Sequence, residues 1–160
     1  MIILGIDPGL GTTGYAVLEY ERHKLRLLEA GVIRGRSKRT LPARIHEIYI
    51  GITEIISEYK PEALSLEELY SYYKRPKTAI LMGHARGGIM LAAANAGIPV
   101  VSYSATRIKK ILTGSGRATK AQMQRAVQTE FHLTQPPSPP DVADAMAIAL
   151  CHAFLGSKNI

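Results

Sequence analysis

Met1-Ile2-Ile3-Leu4-Gly5-Ile6-Asp7-Pro8-Gly9-Leu10-Gly11-Thr12-Thr13-Gly14 opens the chain. The run up to Ile6 is apolar and β-rich, and the Pro8-Gly9-Leu10-Gly11 that follows is strong turn chemistry, so a strand ends at an acid, Asp7. Working outward, Gly14 to Tyr20 reads as a second strand, Glu21 to Lys24 as a hairpin turn, and Leu25 to Arg34 as a third strand. Three strands in this order make an antiparallel meander.

Beyond a polar break at Gly35 to Thr40 the periodicity changes. Ile45, Ile48, Tyr49, Ile52, Ile55 and Ile56 follow helical spacing from Leu41 to Tyr59, with Pro42 tolerated in the first turn. Pro61 ends that helix, and Ala63-Leu64-Ser65-Leu66 reads as a buried strand finishing, again, at an acid, Glu67. Thr78 to Ala96 is helical in length and period, Gly97 is a natural terminator, and Ile98 to Ser102 is another buried strand. Two short helices follow, Ala105 to Leu112 and Thr119 to Phe131, and after a proline-rich break a last helix covers Asp141 to Phe154. This order predicts an α/β fold with a mixed sheet of five strands, three antiparallel and then parallel, and helices on both faces. Right-handed crossovers set the strand ending at Glu67 parallel to, and beside, the one ending at Asp7.

At 160 residues the expectation is one domain over residues 1–156 with a loose tail at 157–160. A composition of 46% hydrophobic and 21% charged residues excludes disordered and fibrous classes. With no membrane-length apolar run and no leader-like start, the chain reads as cytoplasmic. The single cysteine, Cys151, lies in an apolar stretch and reads as a buried small hydrophobe.

The net charge of +7 is unevenly placed. Residues 1–68 carry nine basic and ten acidic side chains, whereas 69–160 carry eleven basic and three acidic ones. From Leu69 to Thr129 there are ten Lys or Arg and no Asp or Glu. Solvated faces normally mix signs, so this stretch points to a polyanionic partner, and without a Trp or Phe anchor beside the charges nucleic acid is favoured over membrane.

In open α/β sheets the functional crevice lies beyond the carboxyl ends of parallel strands, where Asp7 and Glu67 both fall. Asp141 and Asp144, three apart at the start of a helix, project from one face. Carboxylates gathered this closely repel one another and are held ionised by a hard divalent cation, Mg²⁺ or its substitute Mn²⁺. One or two such ions suit phosphodiester hydrolysis without a nucleophilic side chain. Glu68 competes with Glu67 only if the strand slips by one residue, because alternation sends the two to opposite faces. Taken alone, the helix-start pair also suits the positive end of a helix dipole, and Asp7 a turn-forming role.

Ile3-Leu4-Gly5-Ile6-Asp7-Pro8-Gly9 with Thr13-Gly14, the pair Leu66-Glu67, the run Gly83-His84-Ala85-Arg86-Gly87, and Asp141-Val142-Ala143-Asp144-Ala145-Met146-Ala147-Ile148-Ala149 together strongly resemble the RuvC family of bacterial crossover junction endodeoxyribonucleases. The resemblance covers almost the whole chain. It implies an RNase H-like fold, Mg²⁺ dependence, a homodimer, contacts with a branch-migration helicase complex, and paired nicking of four-way Holliday junctions. Its catalytic acids fall on Asp7, Glu67, Asp141 and Asp144, and its basic residues near the scissile phosphate on Lys109 and Lys120. Some relatives carry histidine at the place of Asp141.

Leu69-Tyr70-Ser71-Tyr72-Tyr73-Lys74-Arg75 alternates rings with charge, a pattern suited to unstacked bases and phosphates. The resemblance makes Tyr70 the ring that meets the junction, where better-known relatives carry phenylalanine. The expected DNA contacts are Tyr70, Tyr73, Lys74, Arg75, Lys77, Lys109, Lys110, Arg117 and Lys120. Ala79, Gly83 and Gly87 form a smooth stripe that serves either as a contact in a C2 dimer or as a seat against the sheet. The Asp7 to Gly14 segment also resembles the first phosphate loop of actin-like ATPases. Those need two such domains and a second glycine-rich loop, for which 160 residues leave no room.

Overall fold

A computed structural model describes residues 1–35, 38–70 and 75–156 of the chain. The meander is built from β1 (Ile2–Asp7), β2 (Thr12–Glu21) and β3 (Lys24–Arg34). Then come α1 (Leu41–Tyr59), β4 (Ala63–Glu67), α2 (Pro76–Asn95) and β5 (Val100–Tyr103), followed by α3 (Ala105–Thr113), α4 (Lys120–Glu130) and α5 (Pro140–Gly156). The five-stranded sheet runs in the order β3-β2-β1-β4-β5, with β1–β2 and β2–β3 antiparallel and β1–β4 and β4–β5 parallel. The mixed sheet and the adjacency of the two acid-terminated strands are as the sequence predicts.

Alternation along the strands sorts the core into two layers. Ile3, Ala16 and Leu18 face α5, with α3 and α4 behind it, while Leu4, Ile6, Val17, Leu64 and Leu66 face α1 and α2. Helix α1 matches its expected span because its signals are local. Thr40 accepts a hydrogen bond from the Ala43 N–H, Pro42 sits in the first turn, and Lys60 closes the end in the left-handed region. Its isoleucines Ile48, Ile52, Ile55 and Ile56 are buried, each contributing roughly 1.5–3 kcal/mol if fully removed from water.

Helix α5 is apolar almost all round and lies against β1 and β2, with Ala145 to Ala153 buried without interruption. Cys151 is one of these buried residues. Gly5 and Gly14 make the close packing possible: a Cβ on Gly5 would fall 2.4 Å from the Ala145 carbonyl oxygen, and one on Gly14 2.1 Å from that of Asp141.

Most boundaries other than those of α1 shift by one or two residues from expectation, and two of the shifts have a clear local cause. β5 begins at Val100, not Ile98, because Gly97 turns left-handed and the Ile98 N–H is spent on the Ala93 carbonyl at 2.9 Å, finishing the helix before the strand starts. α2 begins at Pro76, whose fixed φ suits a first helical turn. Of the small-residue stripe on α2 only Gly87 points fully to solvent; Ala79 and Gly83 are half-buried, with Leu69 Cδ2 3.8 Å from where a Gly83 Cβ would stand. Gly87 is exposed with open space where a Cβ would stand, while Ala85, Ile89 and Ala92 take the inward face. No helix among the described residues is long and apolar enough to cross a membrane.

Candidate active site at the carboxyl end of the sheet

Strand parity brings the first two acids together. Gly5 of β1 packs on α5, so Asp7, two residues on, points to the same side. On β4 the Ser65 hydroxyl donates to the Ile148 carbonyl at 3.1 Å, so Glu67 also faces α5. The ladder pairs Gly5 with Ser65 and Ile6 with Leu66, which makes Asp7 and Glu67 the next neighbours across the strand ends. Glu68 falls on the opposite face, the α2 side.

The other two acids arrive on α5. With Gly14 beneath the Asp141 backbone and Gly5 beneath Ala145 and Ala149, the first turn of α5 lies directly over the end of β1. All four carboxylates interact electrostatically. Burial, reinforced by Asp144, Asp141 and Glu67 in that order, pushes the Asp7 carboxyl up to about 7, with Lys120 opposing the shift. Glu67 is also raised, by burial and then Asp144, against the lowering influence of Lys109 and Arg86.

The turn after Asp7 is pinned from within. The buried Thr13 hydroxyl donates to the Gly9 carbonyl at 2.7 Å and accepts from the Gly9 N–H at 3.3 Å. A Cβ on Gly9 would lie 2.3 Å from the Thr12 carbonyl oxygen, so the turn requires glycine there.

Two clefts meet at Glu67. The larger, about 500 Å³, is lined by Asp7, Pro8, Glu67, Glu68, Leu69, Tyr70, Arg75, Met82 and Arg86 among others. The smaller, about 200 Å³, has Lys109, Lys120 and Asp144 beside Glu67. Lys120 Nζ donates to Asp144 Oδ2 at 3.2 Å. Lys109 and Lys120 thus stand with the acids on α3 and α4, although 42 and 53 residues separate them from Glu67 in the chain. Tyr70, 74% exposed, and Arg75 line the larger cleft. Lys77, Lys110 and Arg117 belong to the start of α2, the end of α3 and the following loop, and line neither cleft. Tyr72, Tyr73 and Lys74 fall outside the described residues.

Among the described residues no three Asp, Glu, His or Cys side chains stand as a ready-made metal cage. The donor set nevertheless suits a hard cation: four carboxylates, with no imidazole or thiolate in either cleft, and a mutual repulsion that a divalent ion relieves. Sequence reasoning passed over two residues here. Both stand inside quoted motifs: Thr13 pins its own turn through Gly9, four residues back, while the role of Arg86 depends on a tertiary contact that no local pattern announces.

A family model described as "Crossover junction endodeoxyribonuclease RuvC" matches residues 3–152. A relative from Rhodopirellula baltica bearing that same description is 55% identical over 158 residues, 99% of this chain and 89% of its own length. The solved RuvC structure from Thermus thermophilus superimposes with a TM-score of 0.92 at 33% identity, covering 99% of this chain and 97% of the other. The T. thermophilus RuvC structure in complex with Holliday junction substrate matches with the same score and identity, over 99% and 96% of the two chains. The RNase H-like arrangement of three antiparallel and two parallel strands is therefore the one found here. The chain belongs to the RuvC family of crossover junction endodeoxyribonucleases, which are metal-dependent nucleases.

Proposed function

We propose that this protein resolves four-way Holliday junctions by paired, symmetric, Mg²⁺-dependent hydrolysis of two phosphodiester bonds, with Asp7, Glu67, Asp141 and Asp144 as the metal-holding set. The observation that carries the reading is the convergence of these acids at the sheet end, where burial and then the neighbouring carboxylates push Asp7 up to about 7, at the border of a 61-residue stretch without Asp or Glu. Bound there, one or two Mg²⁺ ions, or Mn²⁺ in their place, lower the pKa of ligated water and neutralise the charge developing on the phosphate oxygens.

The chain's own residues do the rest. Partial burial of Asp7 and Glu67 lowers the local dielectric and strengthens the charge interactions around them. Lys120 and Lys109, in the cleft beside Glu67, are placed to meet phosphate oxygens, and Lys120 can exchange its bond to Asp144 for one to substrate. Tyr70 presents a ring to unstacked bases at an open junction centre, with Arg75 beside it. Lys77, Lys110 and Arg117, with Tyr73 and Lys74 from outside the described residues, extend the electrostatic contact along the DNA arms.

Paired nicks need two active sites, and α2 supports the dimer that supplies them. Ile80, Met90 and Leu91 are 63%, 43% and 55% exposed on this helix, around the glycines Gly83 and Gly87 that leave its outer surface smooth. A second copy of the same face, related by a two-fold axis, is the occupant. Residues 1–156 then act as one nuclease domain per protomer, working in the cytoplasm alongside a branch-migration helicase complex.

A supercoiled plasmid bearing an extruded cruciform tests this reading, because two nicks in one binding event convert it to linear DNA whereas one nick leaves an open circle. The parent protein is expected to yield mainly linear product. The pair of substitutions Ile80→Glu and Leu91→Glu, each removing roughly 1.5–3 kcal/mol of burial per protomer, is expected to sediment as a monomer and lose linear product at least about tenfold. Open circles from the parent contradict the paired reading. A dimeric double variant shows that α2 is not the interface.

A further inference from the structure

Arg86 is a cation of α2 that reaches the catalytic end of the sheet without being one of the expected site residues. Its Nη1 donates to the main-chain carbonyl oxygen of Glu67, and its Nη2 to Ser102 Oγ at 3.4 Å. The guanidinium therefore binds the ends of β4 and β5 from the face opposite to α5, where Glu68 adds a favourable charge.

The ladder register explains why that carbonyl is free to accept. In a parallel pair each residue that faces its neighbour strand takes its N–H to the carbonyl one residue before its partner, and gives its C=O to the N–H one residue after. The β4–β5 pair follows this rule, with Leu64 opposite Val100 and the Leu64 N–H on the Pro99 carbonyl at 2.9 Å. Leu64 and Glu68, whose N–H bonds the Tyr103 carbonyl at 2.8 Å, both face β5. By alternation Ser65 and Glu67 face β1. Extending the β1–β4 register by one residue sets Glu67 opposite Asp7, so the donor owed to the Glu67 carbonyl is the N–H of residue 8. Residue 8 is proline and has none. Arg86 fills the gap.

We infer that Arg86 is a positioning residue for the metal-holding end of β4: its side chain replaces the ladder donor that Pro8 cannot supply and so holds Glu67 beside Asp7. The chain can then turn sharply away at Pro8, opening the crevice, without releasing the strand that carries Glu67. The inference rests on the reading of Glu67 as a metal ligand.

The test uses the full-length protein and three readouts: Mn²⁺ binding by calorimetry without DNA, kcat and KM on a synthetic junction, and thermal melting. Arg86→Met is expected to weaken Mn²⁺ binding and lower kcat by about 10- to 100-fold, the usual range for outer partners of metal ligands, with little change in KM. Arg86→Lys, which keeps a charged donor but not the two-pronged guanidinium, is expected to recover part of both losses relative to Arg86→Met. Pro8→Ala restores an N–H at the vacant rung, so in the Pro8→Ala background the cost of Arg86→Met should shrink at least about threefold, a coupling that double-mutant comparison isolates. A purely structural arginine would lower melting without this rescue. The inference is overturned if Arg86→Met binds Mn²⁺ and turns over within twofold of the parent, or if the two substitutions are additive. Should Arg86→Met fail to fold, the same comparison with Arg86→Lys decides. Glu67→Gln separates the two readings: an active Glu67→Gln removes the metal-ligand reading and this inference with it. An inactive Glu67→Gln beside a fully active Arg86→Met removes this inference alone.

Discussion

Asp7→Asn is expected to lower junction cleavage by at least about 10³-fold while leaving junction binding within a few-fold of the parent. The amide keeps the size and most contacts of the carboxylate but cannot neutralise a cation, and removing one preorganised charge partner at a reacting centre costs on the order of 10²–10³ by itself. Loss of a proposed metal ligand adds to that. Binding is spared because it draws on Lys and Arg spread across the basic stretch, and one less negative charge near the phosphate does not oppose a polyanion. The same substitution has a second, independent signature in metal-free protein. The Asp7 carboxyl stands at about 7 against an ordinary 3.8. A carboxyl raised by folding favours the folded state only while protonated, so its contribution is full below about pH 4 and is lost progressively as pH rises to about 7. Glu67, also raised, acts in the same direction. Metal-free parent protein should therefore lose stability over that interval, and Asp7→Asn should flatten the loss and melt higher than the parent at pH 8. Equal melting curves for the two proteins across this range would show that the acids are not coupled as described.

Gly5→Ala is expected to be among the most damaging single-methyl additions in the described chain. Its Cβ would lie 2.4 Å from the Ala145 carbonyl oxygen, 2.6 Å from the Ala149 Cβ and 2.7 Å from the Ala149 nitrogen, all on the buried helix α5. None of these is the end of a flexible side chain, so either α5 or β1 must move as a body. Overpacking of a close-packed core costs typically 1–3 kcal/mol, and the backbone contacts here place the cost at about 3 kcal/mol or above. At 2–4 °C per kcal/mol for a chain of this size, melting should fall by roughly 10 °C. Activity should fall as well, because α5 carries Asp141 and Asp144. Gly11→Ala is the control, since nothing lies within 4 Å of a Cβ there. A Gly5→Ala protein that melts like Gly11→Ala would contradict the close packing of α5 on β1.

The parts of this architecture that were legible in the sequence are those whose cause is local. α1 carries its own cap, its own period and its own terminator, and its span was readable to the residue. The acids of β1 and β4 were readable because each strand stops where turn chemistry or polarity begins, and alternation then dictates a shared face. The β2–β3 turn was located correctly, yet its residues Arg22 and His23, at φ 49° and 64°, lack the usual Asn-Gly signature. There the register imposed by two long strands overrides local preference. The stripe on α2 had two readings in the sequence because small residues suit either a sheet or a second helix, and only the burial of Ala85, Ile89 and Ala92 shows which face is inward. Arg86 was beyond sequence reasoning for a further reason. Its role requires the β1–β4 register, the absence of an N–H at Pro8 and the reach of a side chain 19 residues away from Glu67.

Whether the carboxylate cluster cuts junctions with the help of a divalent ion is decided by cleavage of a synthetic four-way junction and of a linear duplex of matching sequence, each with and without Mg²⁺. Paired nicks are expected in the junction only when Mg²⁺ is present, with little or no cutting of the duplex. Equal cleavage of the two substrates, or junction cleavage undiminished in chelator, would contradict that expectation.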